Sequence, residues 1–533
     1  MRSESYSLQP QSTPTDNLSR PGVQEWGGAE HPRRPPHKCV RNINHPMRPI
    51  SLHPQNPRYF LYDSKPLALI TSTEHFGGLI NLDFDYRKYL SALAQGNFTL
   101  TQTWTGAYVE PDSDVGPYNT LDPRNGRYIA PWARSGMPGN AKGGNKFDLS
   151  EYNASFFSRL VDFVDTAATH GIIVEVGLFG GYEQTHESIF EVCPFHPSNN
   201  VNVKVGSVNR STVYTLDAPA ALREYQVETA RRIATALRDR PNVYYRTPVG
   251  LELCSTCVLS CVLLRSTCAR MCMCVPHAAE LVNVPNHSSP EWGVPIRKAL
   301  LAADPHKLIA VPAAWARAGF SNASIINYGA FARPSDATSA PVAKAALAYD
   351  ESGGLSGGRT SYRHSYWRWM LSGGSVVDNL DWSFMVGYET GDLPAEKCHE
   401  AANAGKAIRT QLAVLSTFFH ELPFVKMVPS VEWIVDADTP PLHDSVQGLI
   451  LAGGGPYPYE GAFAAGFVAV GGVHSIGVRI DAGRCTGVEV EWVDTKSGRT
   501  TRALVPPHPS VHQRTIAVPP YEDDVAFRLS CLS

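Results

Sequence analysis

Eight short apolar runs, each separated from the next by polar or helical sequence, constrain the fold of this chain more than any other feature. Amphipathic helical patterns fill several of the gaps, most clearly over 151 to 170 and 218 to 240. Strands that alternate with helices in this way are typical of βα units with a parallel sheet. Eight units in succession predict a (β/α)8 TIM barrel. The eight runs are 66–72, 97–103, 171–178, 242–245, 307–311, 323–328, 345–349 and 374–381.

The pattern changes after a last helical stretch over 402 to 422. Beyond Pro429 the helical period stops, and short alternating runs follow between clusters of Pro and Gly. Such runs are typical of a small antiparallel β-sandwich. We therefore predict a barrel domain over 51–428 and a β-sandwich domain over 429–533. The runs that support the second domain are 431–435, 448–452, 474–480, 487–493 and 525–529.

Residues 1–50 contain eight prolines and several basic side chains but no hydrophobic periodicity. This composition predicts a disordered segment. Its first residues lack the apolar core of a secretory signal, although N-glycosylation sequons occur at five positions further on. The localisation is therefore left open, and export is expected only if a signal precedes the printed sequence. The sequons begin at Asn97, Asn153, Asn209, Asn286 and Asn322.

The overall charge and hydropathy argue against several classes of partner. The formal net charge is -3, which provides no basic surface for a nucleic acid. No run reaches the 18 or so apolar residues of a membrane span, so neither a nucleic acid nor a membrane is expected. A metal-dependent hydrolase on the same barrel would need His and Asp ligands at several strand ends, and only His75 qualifies. We expect no metal and no cofactor.

An anomalous segment over 246–279 divides the fourth strand run. It holds six of the eleven cysteines of the chain, and three interpretations are open. Cys254-x-x-Cys257 and Cys272-x-Cys274 imitate part of a zinc site, but the spacing is irregular. A disulfide-stapled loop is a second interpretation, for an exported protein. We favour the third, translated non-coding sequence, because a genuine insertion would more naturally lie in a loop.

Without this segment, the chain reads VYY-ELVNVPNHSSPEW. This sequence resembles the strand-four signature of clan A glycoside hydrolases, in which the strand ends in Asn-Glu-Pro. The resemblance implies a retaining glycosidase that acts on a carbohydrate, with Asn283 as the ligand of a sugar 2-hydroxyl. The position of the catalytic acid/base is Val284, which can neither donate nor accept a proton. The same resemblance extends over about 58 to 215 and, less densely, to about 391.

The resemblance also implies that the second carboxylate of the retaining mechanism comes from strand seven. Glu351 follows a buried apolar run and precedes a Gly-rich loop, so we predict that it is the nucleophile, with Asp350 as the reserve candidate. The alternative for Glu351 is an exposed loop carboxylate. Gly329 follows strand six, where the resemblance would place a histidine.

Further candidate site residues follow the first, second and eighth strands, because the carboxyl ends of barrel strands meet at one mouth. His75, Trp104, Tyr108 and Trp382 are predicted to bind and stack a sugar ring. Core packing is the alternative for each aromatic residue. We predict the hydrolysis of O-glycosidic bonds in a polysaccharide or glycoside by a retaining mechanism. The alternative is a catalytically inactive, carbohydrate-binding pseudoglycosidase, which Val284 favours.

Overall fold

The structure is a computed structural model, and it describes most of the chain beyond residue 46. Residues 1–46 of the predicted disordered segment and almost all of the Cys-rich segment lie outside the described residues, so both stay predictions. Residues 47–50 of the predicted disordered segment are described, and Ile50 is buried. The described residues are 47–111, 119–247, 289–317, 323–329, 332–338, 344–353, 355, 357–436, 446–451, 463–469, 473–479, 487–505 and 513–532.

The first thirteen strands include eight barrel strands, a small sheet of β1, β2 and β3 that precedes them, and the hairpin of β6 and β7. They are β1 (Ser51–Leu52), β2 (Phe60–Tyr62), β3 (Lys65–Leu67), β4 (Leu69–Thr73), β5 (Leu100–Trp104), β6 (Trp132–Pro138), β7 (Asn145–Tyr152), β8 (Ile173–Gly177), β9 (Val243–Arg246), β10 (Ile309–Pro312), β11 (Ile325–Asn327), β12 (Ala346–Ser352) and β13 (Val376–Leu380).

Eight of these strands form the predicted barrel. They pair in parallel in the order β4-β13-β12-β11-β10-β9-β8-β5. The Thr71 hydroxyl of β4 donates to the Leu100 carbonyl of β5 at 2.6 Å, which brings the two ends of the sheet together. Each barrel strand falls at one of the eight apolar runs, so the TIM-barrel prediction is confirmed. The Cys-rich segment was predicted to start at Arg246, which in the structure is the last residue of β9.

Helices cover the outside of the barrel, and polar side chains fix several of their starts. The Asn153 side chain, for example, accepts from the Ser155 amide, and the Ser289 side chain accepts from the Trp292 amide, as helix N-caps do. The helices are α1 (Tyr86–Gln95), α2 (Ala154–Thr169), α3 (Glu187–Val192), α4 (Ala220–Leu237), α5 (Pro290–Ala303), α6 (Ala313–Arg317), α7 (Pro334–Thr338), α8 (Gly358–Leu371) and α9 (Lys406–His420). None of the described helices combines the length and the apolar character needed to cross a bilayer.

The barrel interior has an apolar floor and a polar layer above it. The floor is one buried cluster, which includes Leu69, Leu100 and Ile173 of the barrel strands and is closed from below by Ile50 and Phe60. Two residues further along, toward the carboxyl ends, the same inner faces carry polar side chains, since strand side chains alternate with a period of two. The buried members of this polar layer are Thr71, Gln102, Glu175, Arg246, Asn327, Asp350 and Asp378.

The carboxyl-terminal part is the predicted antiparallel β-sandwich. One sheet has the order β14-β16-β17-β22-β19-β20 and the other β15-β18-β21, with Trp433, Trp492 and Phe527 in the core. Four strands, β14, β17, β20 and β21, were not among the predicted runs. The strands are β14 (Met427–Pro429), β15 (Ile434–Asp436), β16 (Val446–Leu451), β17 (Phe463–Val468), β18 (Ser475–Arg479), β19 (Gly487–Val493), β20 (Thr500–Val505), β21 (Gln513–Ala517) and β22 (Val525–Leu532).

A buried charge cluster joins the sandwich to the barrel. Arg363 of α8 is 2% exposed and forms an ion pair with Asp524, which lies just before β22. His364 also contacts Asp524, at 2.9 Å. Because an unpaired charge is costly to bury, these contacts fix how the sandwich lies against α8.

Candidate active site

One guanidinium lies where the carboxyl ends of three barrel strands meet. The Nη1 atom of Arg246 is 2.6 Å from Asp350 Oδ2, 3.1 Å from Glu351 Oε1 and 3.5 Å from Glu175 Oε1. Arg246 ends β9, Glu175 lies within β8, and the two acidic residues of β12 are consecutive. The arginine side chain is 2% exposed, so these ion pairs are shielded from solvent screening.

A backbone irregularity in β12 turns both Asp350 and Glu351 toward Arg246. In a regular strand, consecutive side chains point to opposite faces. Here the pairing of β12 with β13 shifts register between Tyr349 and Ser352, and Glu351 has a φ of 51°. A bulge of this kind re-aims a side chain, and the left-handed region is unfavourable for a residue with a Cβ. The strand is therefore strained at the candidate nucleophile.

Neutral donors from other barrel strands hold the same carboxylates. Gln102 Nε2 of β5 donates to Glu351 Oε1 at 3.4 Å, and the Asn327 side-chain amide donates to Asp350. The Tyr244 hydroxyl donates to Glu175 Oε2. These hydrogen bonds limit the freedom of all three acidic side chains.

Burial shifts the ionisation of this cluster. It raises the pKa of Glu175 to about 7, while Arg246 opposes the shift. Burial also raises the pKa of Glu351 above its ordinary value, again opposed by Arg246. The pKa of Asp378, whose carboxylate accepts from the Thr73 hydroxyl, is likewise raised by burial. The charged forms are disfavoured because they lose their hydration in the barrel interior.

A second group of side chains lies around the ends of the first, second and eighth strands. His75 Nε2 is 3.5 Å from Glu110 Oε1, and the rings of His75 and Trp382 are 4.4 Å apart. The Tyr108 hydroxyl also donates to Glu110, and the Trp382 ring lies 4.7 Å from that of His399. Burial, followed by the nearby His399, lowers the pKa of His75 to about 3. His75 is therefore neutral at physiological pH.

Trp104 connects the two groups. Its ring lies 5.4 Å from the guanidinium carbon of Arg246 and 5.8 Å from the ring of Tyr108. Gly177 makes room for the indole, since a Cβ there would lie 2.4 Å from Trp104 Cε3. The acidic cluster and the aromatic group thus form one continuous set of contacts.

Five of the predicted site residues, Glu351, His75, Trp104, Tyr108 and Trp382, lie in this set. Their roles stay predictions. Trp104 and Tyr108 are 1% and 4% exposed, so their described contacts are mainly with other protein groups. His75 and Trp382 are 8% and 4% exposed. The His75 Nδ1 and Trp382 Nε1 atoms are buried and have no hydrogen-bond partner among the described residues, so a sugar hydroxyl would reach them only if neighbouring side chains moved.

Asn283 and Val284 lie outside the described residues. Their predicted roles as the 2-hydroxyl ligand and the vacant acid/base position therefore stay predictions from the sequence.

Sequence reasoning missed Arg246, Glu175 and Glu110. Glu175 carried a usable signal, because a charged residue inside the apolar run 171–178 must find partners when the strand is buried. Arg246 was assigned to the Cys-rich segment, which concealed its place in the strand. In the described ranges, no group of three or more His, Cys, Asp or Glu residues is arranged to hold a metal ion.

Comparison with solved structures supports the architecture. No protein-family model matches the chain, and no curated protein matches its sequence. A structure described as a glycoside hydrolase aligns over 91% of this chain and 97% of its own, with a TM-score of 0.54 and 11% identity. The chain therefore shares the fold of this structure. A family 5 glycoside hydrolase from Bacteroides vulgatus aligns over 91% and 93%, with a TM-score of 0.56 and 11% identity. At this identity the likeness shows the fold alone.

Proposed function

We propose that the barrel mouth binds a carbohydrate and hydrolyses an O-glycosidic bond by a retaining mechanism, with Glu351 as the nucleophile. The observation that carries this proposal is the bulge in β12, which turns Glu351 toward Arg246 at a φ of 51°. Backbone strain persists only where the surroundings enforce it, and it concentrates at functional sites. A surface loop carboxylate would not require this conformation.

In the proposed reaction, an ionised Glu351 attacks the anomeric carbon and the leaving group departs with the bonding electron pair. The product of this step is a glycosyl ester on Glu351, which water then hydrolyses. Arg246 favours the ionised carboxylate through its positive charge. His75 and Trp382 would bind the sugar, and their buried, unpartnered ring nitrogens would have to become exposed to take part.

Protonation of the leaving group is the weak step. The resemblance of the sequence to clan A enzymes gives the acid/base position to Val284, which has no proton to supply. General acid catalysis typically contributes ~10²- to 10⁴-fold to the rate. We therefore expect faster turnover of glycosides whose leaving group departs without a proton.

A second candidate function is carbohydrate binding without hydrolysis. The ion pair between Arg246 and Glu351, at 3.1 Å, favours it, because a carboxylate engaged by a cation is a weaker nucleophile. This ion pair and the valine at position 284 are both features that we would expect in a glycosidase relative that has lost catalysis. The substrate class would be the same, but the sugar would be released unchanged.

The experiment is turnover of a panel of 4-nitrophenyl glycosides, combined with trapping by activated 2-fluoro glycosides of the same sugars. We expect turnover of at least one glycoside, its loss in Glu351→Gln, and a covalent sugar on the peptide that contains residue 351. Glu183→Gln is the matched control. Glu183 is a buried glutamate that accepts from Tyr214, and unlike Glu351 it makes no ion pair with Arg246 in the described structure.

Two outcomes would contradict the hydrolytic proposal. Trapping on another residue would assign the nucleophile elsewhere. Absence of turnover and of trapping, together with saturable binding of an oligosaccharide by calorimetry, would establish the binding function instead.

A further inference from the structure

Three acidic side chains lie close to a single nitrogen atom of Arg246. Glu175, Asp350 and Glu351 all approach the same Nη1 atom, at 3.5, 2.6 and 3.1 Å. Nη1 itself forms no hydrogen bond with a described residue, so the three carboxylates interact with it through its charge. The carboxylates therefore compete for one cation.

Glu175 is the most weakly held of the three. Its Oε2 atom accepts from Tyr244, but Oε1 is buried, lacks a hydrogen-bond partner among the described residues and lies farthest from Arg246. Glu175 is placed below the mouth, because it pairs with Tyr244 in the strand register while Gly177 pairs with Arg246. It therefore lies beside the site without lining its opening.

The groups that face Glu175 come from four strands. Gln102 of β5 is its uncharged register partner, and β9 contributes Tyr244 and Arg246. The acidic neighbours are Asp350 and Glu351 of β12, which raise the pKa of Glu175. On β13, the nearest acidic group is Asp378, whose own pKa is raised in part by Glu175.

One cation is thus set against four buried carboxylates in this part of the described structure. Isolated buried carboxylates take up protons rather than remain charged. With a pKa of about 7, Glu175 is protonated in mildly acidic solution and leaves Arg246 to its two other partners. Above that pH it ionises and becomes a third competitor.

We propose that Glu175 is a positioning residue that competes with Glu351 for Arg246 and so controls how the candidate nucleophile is held. This inference rests on the proposed function in naming Glu351 as the nucleophile. When Glu175 is neutral, Arg246 holds Glu351 in the ionised, oriented state. When Glu175 is charged, Arg246 is shared and Glu351 is repelled.

The first test needs no turnover. The folded state keeps a proton on Glu175 up to pH about 7, whereas the unfolded state releases it near the ordinary value of 4.5. The folded state therefore binds more protons in this window, and its stability falls as the pH rises across it. The free energy of unfolding is measured against pH for the parent protein and for Glu175→Gln. The difference between the two curves isolates this fall. We expect its midpoint to move to lower pH when the same subtraction is made in a Glu351→Gln background.

Glu183 provides the matched control for this test. Burial raises its pKa to about 7 as well, so Glu183→Gln removes a similar fall in stability. Because the described structure shows no contact between Glu183 and Arg246, this fall should be the same with and without Glu351→Gln. An unchanged midpoint for the Glu175-dependent fall in the Glu351→Gln background would overturn the proposal.

The second test uses turnover of the best 4-nitrophenyl glycoside. We expect kcat/KM to decline above pH about 7 in the parent protein and in Glu183→Gln, but not in Glu175→Gln. A decline that persists in Glu175→Gln would contradict the proposal. If no variant turns over any glycoside, the proposed function fails, and the stability measurements still decide whether Glu175 and Glu351 compete.

Discussion

Asp350 and Glu351 are adjacent in the chain, yet both of their carboxylates contact one nitrogen of Arg246. A regular strand would separate them onto opposite faces. The arrangement depends on the register shift in β12 and on the left-handed backbone at Glu351. The local geometry at position 351 is thus open to a direct test.

We expect Glu351→Gly to be more stable than Glu351→Ala by ~1 kcal/mol. A φ of 51° disfavours any residue with a Cβ by about 1–2 kcal/mol, and glycine adopts it freely. Both variants lack the carboxylate, so the comparison isolates the backbone. The measurement is urea unfolding at one pH, and an alanine variant that matched the glycine variant would show that position 351 is unstrained.

Arg246→Met should destabilise the fold by ~3–5 kcal/mol, since it leaves buried carboxylates without their cation. The loss should grow as the pH rises through about 7, where Glu175 ionises. Arg246→Lys is the control and should restore part of the stability, because it retains the charge but not the planar fork. Equal stability of the Met and Lys variants would argue against the charge cluster.

His75 should remain neutral down to pH about 3. Since the unfolded state takes up a proton below the ordinary value of 6.5, folding stability should fall as the pH decreases from 6.5 toward 3. His75→Gln removes this contribution, so the stability difference between the two proteins should change with pH over that window. A constant difference would mean that His75 ionises normally in the folded state.

The contact between barrel and sandwich should depend on Arg363. Removing one partner of its buried pair with Asp524 should cost ~3–5 kcal/mol. We expect calorimetry to give a lower melting temperature for Arg363→Met than for the parent protein. Arg502→Met is the matched control, because Arg502 pairs with Glu491 on the surface and is 67% exposed. Such a pair contributes ~0–1 kcal/mol, so equal losses in the two variants would count against the interface.

Val284→Glu tests the interpretation of the fourth strand. If position 284 is the acid/base site, a carboxylic acid there should increase turnover of an unactivated oligosaccharide by up to ~10²- to 10⁴-fold. Turnover of an aryl glycoside should increase less, because its leaving group departs without a proton. No gain on either substrate, with Glu351 still essential, would show that the strand-four alignment is wrong.

The sequence predicted the barrel because its buried strands begin with apolar residues and alternate with helical patterns. The sequence pattern missed strands whose buried positions hold small residues or a mixture of polar and apolar residues. Strand β17, for example, contains Ala464, Ala465 and Gly466, and Gly466 admits the ring of Phe527, which lies 2.4 Å from its hypothetical Cβ. Such a strand is recognisable only with its partner, since its packing depends on residues far along the chain.

The site was less predictable than the fold. Glu351 was predicted as a site residue because it follows an apolar run. Its orientation depends on a bulge that no local sequence pattern predicted. The partnership of Arg246 with Glu175 joins residues far apart in the chain. The pairing of β8 with β9 brings them together, so their interaction could not be inferred from spacing along the chain.

The apolar floor formed with Ile50 and Phe60 determines how protons can reach the acidic cluster. It closes the amino-terminal end of the barrel beneath the acidic residues. A proton that reaches or leaves Glu175 must therefore pass through the mouth. While a bound sugar occupied that mouth, the acidic cluster beneath it would be cut off from exchange with the solvent.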